Sequence, residues 1–199
     1  MKRLCVITSG LLFIAFTVFG CAQMSALMDT GWVTLIDGEK GLENWNRVGN
    51  ANWRAEDGAI VVDKGKGYSY LVSKNTYNDF QIRAEFWVSH DANTGIFMRC
   101  QNPNDIHDKN CYEANVFDRR KDPTYGTGAI THLAKVEPVH KTGGKWNTYD
   151  ITVKGTRITL TLNGVRTVDF EHSQFSNGPI ALQWFSGVVK FRKVEIKPL

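Results

Sequence analysis

The feature that most constrains this chain is a series of short segments in which apolar and polar residues alternate, each ending at residues that form turns. A period of two is typical of β-strands, and turn signals such as Asp37-Gly38 and Asn163-Gly164 are typical of antiparallel sheets. No segment between them has the period of a convincing amphipathic helix. The sequence therefore predicts an all-β fold in which short strands form a β-sandwich.

The predicted strands follow one another at regular spacing over most of the chain. Phe80–Ser89 alternates well, with apolar residues at every second position from Phe80 to Val88. The complete set is Trp32–Ile36, Trp53–Ala55, Ala59–Val62, Tyr70–Ser73, Phe80–Ser89, Asn93–Cys100, Cys111–Asp118, Tyr149–Val153, Arg157–Leu162, Val165–Phe170, Pro179–Phe185 and Val188–Ile196. No internal repeat divides this set, so we expect residues 29–199 to form one domain.

Two neighbouring predicted strands, Asn93–Cys100 and Cys111–Asp118, carry polar residues where central strands are usually apolar. Alternation places Arg99 on one face of the first strand, and Glu113 with Asn115 on one face of the second. Burying such groups is costly unless they are paired or line a wet groove. We therefore expect a functional site built on this part of the sheet.

The N-terminus predicts export. A short basic start, Lys2-Arg3, precedes an apolar run from Leu4 to Phe19, which is typical of a signal peptide over residues 1–20 and too short for a confident membrane span. Val18-Phe19-Gly20-Cys21 resembles the lipobox of bacterial lipoproteins, so Cys21 is the predicted lipidation site. A plain signal peptide cut nearby is the alternative.

Lipidation would make residues 21–28 a short tether and give the protein a membrane contact through its lipid anchor only. The expected location is the bacterial cell envelope, as a periplasmic or surface lipoprotein. Ala22 rather than an aspartate follows Cys21, which favours the outer membrane over the inner one.

The cysteines agree with an exported protein. Cys5 lies in the predicted signal peptide and Cys21 in the lipobox, which leaves Cys100 and Cys111 as the pair in the mature domain. They end one predicted strand and begin the next, a placement that can bring them within bridging range. In an oxidising compartment we therefore predict a disulfide between them.

The charge of the chain excludes some classes of partner. Without residues 1–20 the formal charge falls from +4 to about +2, because Lys2 and Arg3 are lost and no acidic residue is. This value, without any basic run or glycine-rich fingerprint, gives no support for nucleic-acid binding. The sequence leaves the oligomeric state open.

Several short motifs occur in a fixed order along the predicted domain. They are Leu35-Ile36-Asp37-Gly38, Trp53 with Asp57-Gly58, Tyr77-Asn78-Asp79-Phe80, Asn93-x-Gly95-Ile96-x-x-Arg99, Tyr112-Glu113 with Asp118, Gly126-Thr127-Gly128-Ala129-Ile130, Lys145-Trp146-Asn147, Leu162-Asn163-Gly164, Ala181-Leu182-Gln183 and Val189-Lys190-Phe191. Each motif is weak alone, but the ordered set resembles the 3-keto-disaccharide hydrolase domain family. That resemblance covers Gly31 to Leu199 and implies a concanavalin A-like jelly-roll. The family usually has glutamine where Asn115 stands, and the Cys100/Cys111 pair is not general in it.

The resemblance implies a small carbohydrate ligand whose carbon 3 is a ketone. We expect no cofactor. Breaking its glycosidic bond then needs a base for the carbon-2 proton, a group that stabilises an enolate, and an acid for the leaving oxygen. Glu113 is the first candidate for the base, with Arg99 as its expected neighbour; the alternative is a structural ion pair between the two. His132 is an alternative acid or base. Asp118 is a candidate acid or, alternatively, a turn cap.

Other side chains are candidates for binding rather than chemistry. Asn93, Asn115 and Gln183 could hydrogen-bond sugar hydroxyls, and Trp53 and Trp87 could form a stacking platform unless they belong to the core. The oxygen atoms of Asp118, Glu113 and Asn115 keep calcium as an alternative, although their spacing matches no known loop motif. A noncatalytic carbohydrate-binding jelly-roll is the alternative to an enzyme, and an envelope scaffold protein is a third possibility.

Overall fold

The computed structural model describes residues 31–199. The predicted signal peptide, the lipidation site Cys21 and the tether lie outside the described residues. Strands β1 to β13 are Val33–Asp37, Trp45–Val48, Arg54–Glu56, Ala59–Val62, Ser69–Ser73, Phe80–Val88, Thr94–Met98, Tyr112–Val116, Trp146–Lys154, Arg157–Leu162, Val165–Glu171, Ala181–Trp184 and Val189–Pro198. Two single-turn 3-10 helices, Leu42–Asn44 and Pro123–Tyr125, interrupt them. Over residues 31–199 no helix has the length and apolar character that crossing a bilayer requires.

The strands form two antiparallel sheets that pack face to face. The larger sheet has eight strands in the order β11-β10-β9-β6-β13-β4-β3, with β1 also paired to β13. The smaller sheet has five strands in the order β2-β5-β12-β7-β8. The two layers form a jelly-roll, so the predicted all-β, single-domain fold is confirmed.

The hydrophobic core lies between the two sheets and follows the period of two. In β6 the residues Phe80, Ile82 and Phe86 are buried, while Gln81 and Arg83 between them reach solvent. The same alternation in β12 sends Leu182 and Trp184 inward and leaves Ala181 and Gln183 on the outer face of the smaller sheet. Burial of the inner faces is the main driving force for this packing.

The disulfide between Cys100 and Cys111 is confirmed, and it closes a loop onto the outer face of the smaller sheet. We call residues 101–110 the strap. Ile106 of the strap is 5% exposed and packs in a second apolar cluster on that face. Its partners there are Tyr70, Val72, Phe97, Ala181 and the two cysteines. The strap is therefore held both by a covalent bond and by apolar contact.

Candidate functional site

The register of the smaller sheet arranges its outward side chains in three cross-strand rows. Each row lies two residues, or about 7 Å, from the next along the strands. Row 1 is Val72, Ala181, Phe97 and Glu113. Row 2 is Tyr70, Gln183, Gly95 and Asn115. Row 3 is Tyr68, Phe185 and Asn93, where the Phe185 N–H donates to the Asn93 carbonyl at 3.1 Å.

A cleft of about 360 Å³ lies over these rows. Its floor consists of sheet side chains: Tyr70, Phe97, Glu113 and Gln183. Its walls come from the strap and from the loops after β8: Ile106, His107, Asp108, Arg120, Thr131 and His132. Tyr68 and Asn93 of row 3 lie at its mouth. The lining is mostly polar and charged, with Phe97 and Ile106 as its apolar part, which suits a small polar ligand.

Glu113 is the central titratable group of the cleft. Glu113 is only 7% exposed, and its carboxyl lies over Gly95. A methyl group added to Gly95 would come within 3.0 Å of the Glu113 Oε1 atom. Burial raises the pKa of Glu113 to about 7, while the positive charge of Arg120 acts in the opposite direction. A carboxyl with this pKa is well suited to exchange protons near neutral pH.

Three polar side chains, Asp108, Arg120 and His132, form one wall of the cleft beside Glu113. The Nε2 atom of His132 lies 3.2 Å from Oδ2 of Asp108 and 3.2 Å from Nη2 of Arg120. Asp108 comes from the strap, whereas His132 and Arg120 come from the loops after β8. The wall thus contains a guanidinium and an imidazole next to the carboxyl on the floor.

Two buried acceptors in the cleft have no partner among residues 31–199. They are the Gln183 Oε1 and Thr131 Oγ1 atoms. The Gln183 Nε2 atom donates to the Tyr70 hydroxyl at 3.4 Å, which fixes the carboxamide across row 2. A buried polar atom without a partner is costly, so these oxygens favour a ligand that carries hydroxyl donors.

The predicted position of Arg99 beside Glu113 is wrong. The strand ends at Met98, and Arg99 has a φ of 52°, which turns its side chain away from the outer face. The guanidinium is 2% exposed; it donates to the carbonyls of Asn78, Gly155 and Phe175 and pairs with Asp79 at 3.0 Å. Its contacts are those of a residue that ties loops together.

The predicted stacking platform of Trp53 and Trp87 is also absent from the cleft. Trp53 is 3% exposed and packs in the core, with its ring 6.4 Å from that of Phe191. Trp87 lies on the larger sheet, where Lys190 Nζ is 5.6 Å from its ring centroid. A period of two is the same for aromatic residues in the core and on the surface. It therefore could not show that Trp53 lies in the core and Trp87 on the larger sheet.

Asp118 and Asn115 have local structural partners. Asp118 accepts hydrogen bonds from the backbone N–H groups of Thr142 and Gly143 and from the Thr127 hydroxyl. These are the contacts of a loop cap rather than of a cleft acid. Asn115 is buried and donates to the Tyr125 carbonyl at 2.8 Å, and its Oδ1 has no partner within the described part of the chain. Neither side chain lines the cleft.

The structure brings four predicted residues to the cleft: Glu113, His132, Asn93 and Gln183. It adds Tyr68, Asp108 and Arg120, which the sequence analysis did not select. Asp108 and Arg120 come from loops, where no strand period indicates direction. Tyr68 precedes Tyr70 by two residues, so extending the alternation of β5 could have found it.

Residues 31–199 contain no group of three or more His, Cys, Asp or Glu side chains that could hold a metal ion. The candidate calcium ligands Glu113, Asn115 and Asp118 do not converge on one point. Asn115 and Asp118 bond to loops outside the cleft.

A family model described as "3-keto-alpha-glucoside-1,2-lyase-like domain" matches residues 31–197. No curated protein matches the sequence. The family match therefore covers nearly the whole described domain, including every residue of the cleft.

Solved structures share the fold at low sequence identity. A crystal structure of a candidate glycosyl hydrolase from Parabacteroides distasonis superposes with a TM-score of 0.72 at 21% identity, over 85% of this chain and 94% of that chain. A second candidate glycosyl hydrolase from the same organism gives 0.68 at 23% identity, over 84% and 99%. A carbohydrate binding module, CBM66 from Bacillus subtilis, gives 0.57 at 19% identity, over 84% and 96%. At these identities the likeness concerns the fold.

Proposed function

The chain belongs to the 3-keto-alpha-glucoside-1,2-lyase-like domain family, and from this premise we propose that its cleft cleaves 3-keto-glycosides. The observation that carries the proposal is Glu113, a nearly buried carboxyl on the cleft floor with a pKa of about 7. A base of this kind suits a reaction that begins with the removal of a carbon-bound proton.

The ketone at carbon 3 determines which bond is easy to break. It acidifies the hydrogen on carbon 2, and the glycosidic oxygen on carbon 1 is then β to the carbonyl. The base removes the carbon-2 proton, and the electron pair forms an enolate. When the carbonyl reforms, a double bond forms between carbons 1 and 2 and the glycosidic C–O bond breaks. The leaving oxygen takes a proton, and addition of water to the double bond completes a net hydrolysis.

Glu113 supplies the base in this scheme, because its carboxylate form is poorly solvated in the cleft. Arg120 carries a positive charge beside it and is the candidate for stabilising the enolate oxygen. His132 contacts both Arg120 and Asp108 and is the candidate acid for the leaving oxygen. This division of roles does not need the paired carboxylates of ordinary glycosidases.

The test incubates the purified protein with a 3-keto-glucoside and, separately, with the unoxidised glucoside. We expect release of the aglycone from the keto sugar alone, and a loss of at least a hundredfold in Glu113→Gln. Glu85→Gln is the matched control, since Glu85 pairs with Arg192 on the larger sheet. Turnover that survives in Glu113→Gln would move the base to His132.

A carbohydrate-binding module is the second candidate, favoured by the unpartnered Gln183 and Thr131 oxygens in the cleft. Under this alternative the two acceptors hold sugar hydroxyls and no bond is broken. Saturable binding of a sugar without turnover of either the oxidised or the unoxidised glucoside would support it. Weakening of that binding in Gln183→Ala, measured by calorimetry, would locate it in the cleft.

A further inference from the structure

Two exposed aromatic side chains of row 3 are in contact, and one of them, Tyr68, lines the cleft. Tyr68 is 56% exposed and Phe185 is 39% exposed, and their ring centroids lie 4.4 Å apart with the planes tilted by 32°. Among residues 31–199 neither ring belongs to a hydrophobic core cluster. Together the two rings expose a broad apolar surface to water, and this exposure is unfavourable unless a ligand covers it.

The pair occupies row 3, next to the polar row that contains Gln183. Row 3 lies about 7 Å beyond row 2 along the strands. The Glu113 carboxyl leans over Gly95 in row 2. A sugar ring held over Gln183 and Glu113 would therefore place whatever is attached to it over Tyr68 and Phe185.

The opposite end of the cleft is closed. Ile106 of the strap packs against Val72, Phe97 and Ala181 of row 1, and the Cys100–Cys111 disulfide fixes the strap at both ends. The strap thus covers the row 1 end, whereas row 3 offers an exposed aromatic surface toward which a ligand longer than one ring can extend. The apolar face formed by the axial C–H bonds of a hexose is complementary to such an aromatic surface.

We propose that Tyr68 and Phe185 form the binding site for the leaving sugar ring, with the oxidised ring in the closed end of the cleft. This inference rests on the proposed function, because it assigns the two ends of that substrate. It makes the protein specific for glycosides in which the oxidised ring is terminal.

The experiment compares a 3-keto-disaccharide with the 3-keto methyl glucoside, which shares the oxidised ring but has no second ring. In Tyr68→Ala and in Phe185→Ala we expect kcat/KM for the disaccharide to fall about tenfold. For the methyl glucoside we expect a change of less than about twofold. Trp146→Ala, an exposed aromatic residue on the larger sheet at 38%, is the control and leaves both values unchanged.

Equal losses on both substrates in the two variants, or no loss on either, would overturn the proposal. Absence of turnover in the wild type would instead contradict the proposed function alone. In that case calorimetric binding of an unoxidised disaccharide and of methyl glucoside tests the site: Tyr68→Ala must weaken binding of the disaccharide selectively. Equal binding of the two sugars to wild type would count against it.

Discussion

At the scale of single residues, the pKa of Glu113 predicts how activity depends on pH. The carboxylate must be ionised to accept a proton, and burial raises its pKa to about 7. We expect kcat/KM on a 3-keto-glucoside to fall tenfold per pH unit below about 7 and to level off above it. A pH–rate profile from about 5 to 9 measures this. An inflection near the ordinary value of 4.5 would contradict the role of burial.

The same burial gives Glu113 a cost in stability. Below pH 4.5 the carboxyl is protonated in both states, and as pH rises to about 7 the unfolded chain ionises first, so stability falls. Above pH 7 the burial of the ionised carboxyl lowers the free energy of unfolding by about 3 kcal/mol. Glu113→Gln removes this destabilisation. The variant should therefore unfold at a higher urea concentration than wild type at pH 8, with little difference at pH 4. Equal midpoints at pH 8 would show that the carboxyl is better solvated than its position indicates.

Gly95 determines where the Glu113 carboxyl lies. An added methyl group would lie 3.0 Å from Oε1 and 3.1 Å from Cγ of that residue, and 3.1 Å from the Ala114 carbonyl oxygen, so Gly95→Ala must shift the side chain by a few tenths of an ångström. Because a misplacement of about 1 Å costs roughly a hundredfold in rate, this shift should cost a few-fold. We expect this loss in kcat, with the folded state retained in circular dichroism. Combining it with the shorter side chain of Glu113→Asp should give non-additive losses, and strict additivity would speak against direct contact.

At the scale of elements, the disulfide and the strap shape the closed end of the cleft. Replacing both Cys100 and Cys111 by serine removes a link across a short loop, which lowers the free energy of unfolding by about 3 kcal/mol. It also frees Ile106 and Asp108, so we expect a several-fold rise in KM for the keto sugar. Wild type treated with a reductant should behave like the double variant. An unchanged KM would mean that apolar packing alone holds the strap.

The strands could be predicted from the sequence because alternation and turns are local. Ala59–Val62 and Arg157–Leu162 occur in the structure with the predicted bounds. Strand β2, Trp45–Val48, was not predicted, because half of its residues are polar and it is an edge strand. The predicted strand Asn93–Cys100 also extends two residues beyond Met98, because a left-handed backbone at Arg99 ends the strand.

The cleft was only partly predictable, for a physical reason. Glu113 and Gln183 project from strands, so the period of two gave their direction. Asp108 and Arg120 reach the cleft from loops whose course depends on tertiary contacts, including the packing of Ile106. The fold thus follows from local pattern, whereas the charged wall of the cleft depends on long-range folding.

At the scale of the whole molecule, the two sheets have different outer faces. The larger sheet presents charged pairs to solvent, such as Arg83 with Asp150 at 3.4 Å and Glu85 with Arg192. The smaller sheet carries the cleft. β1 pairs with β13 in the larger sheet, so it lies in the layer opposite the cleft.

We predict that lipidation at Cys21 and activity are separable, because residues 68–183 supply the whole lining of the cleft. Lys2-Arg3, the apolar run and the lipobox-like Val18-Phe19-Gly20-Cys21 predict a lipid anchor. Cys21→Ser should move the protein from the membrane fraction to the soluble fraction, because stable anchoring needs the attached acyl chains. The released protein should keep its kcat/KM on the keto sugar within about twofold. Ala22→Ser is the control and should remain in the membrane fraction. A Cys21→Ser variant that stays there would show that something other than acylation of Cys21 attaches the protein. Wild type in the soluble fraction would instead show a plain signal peptide cut nearby.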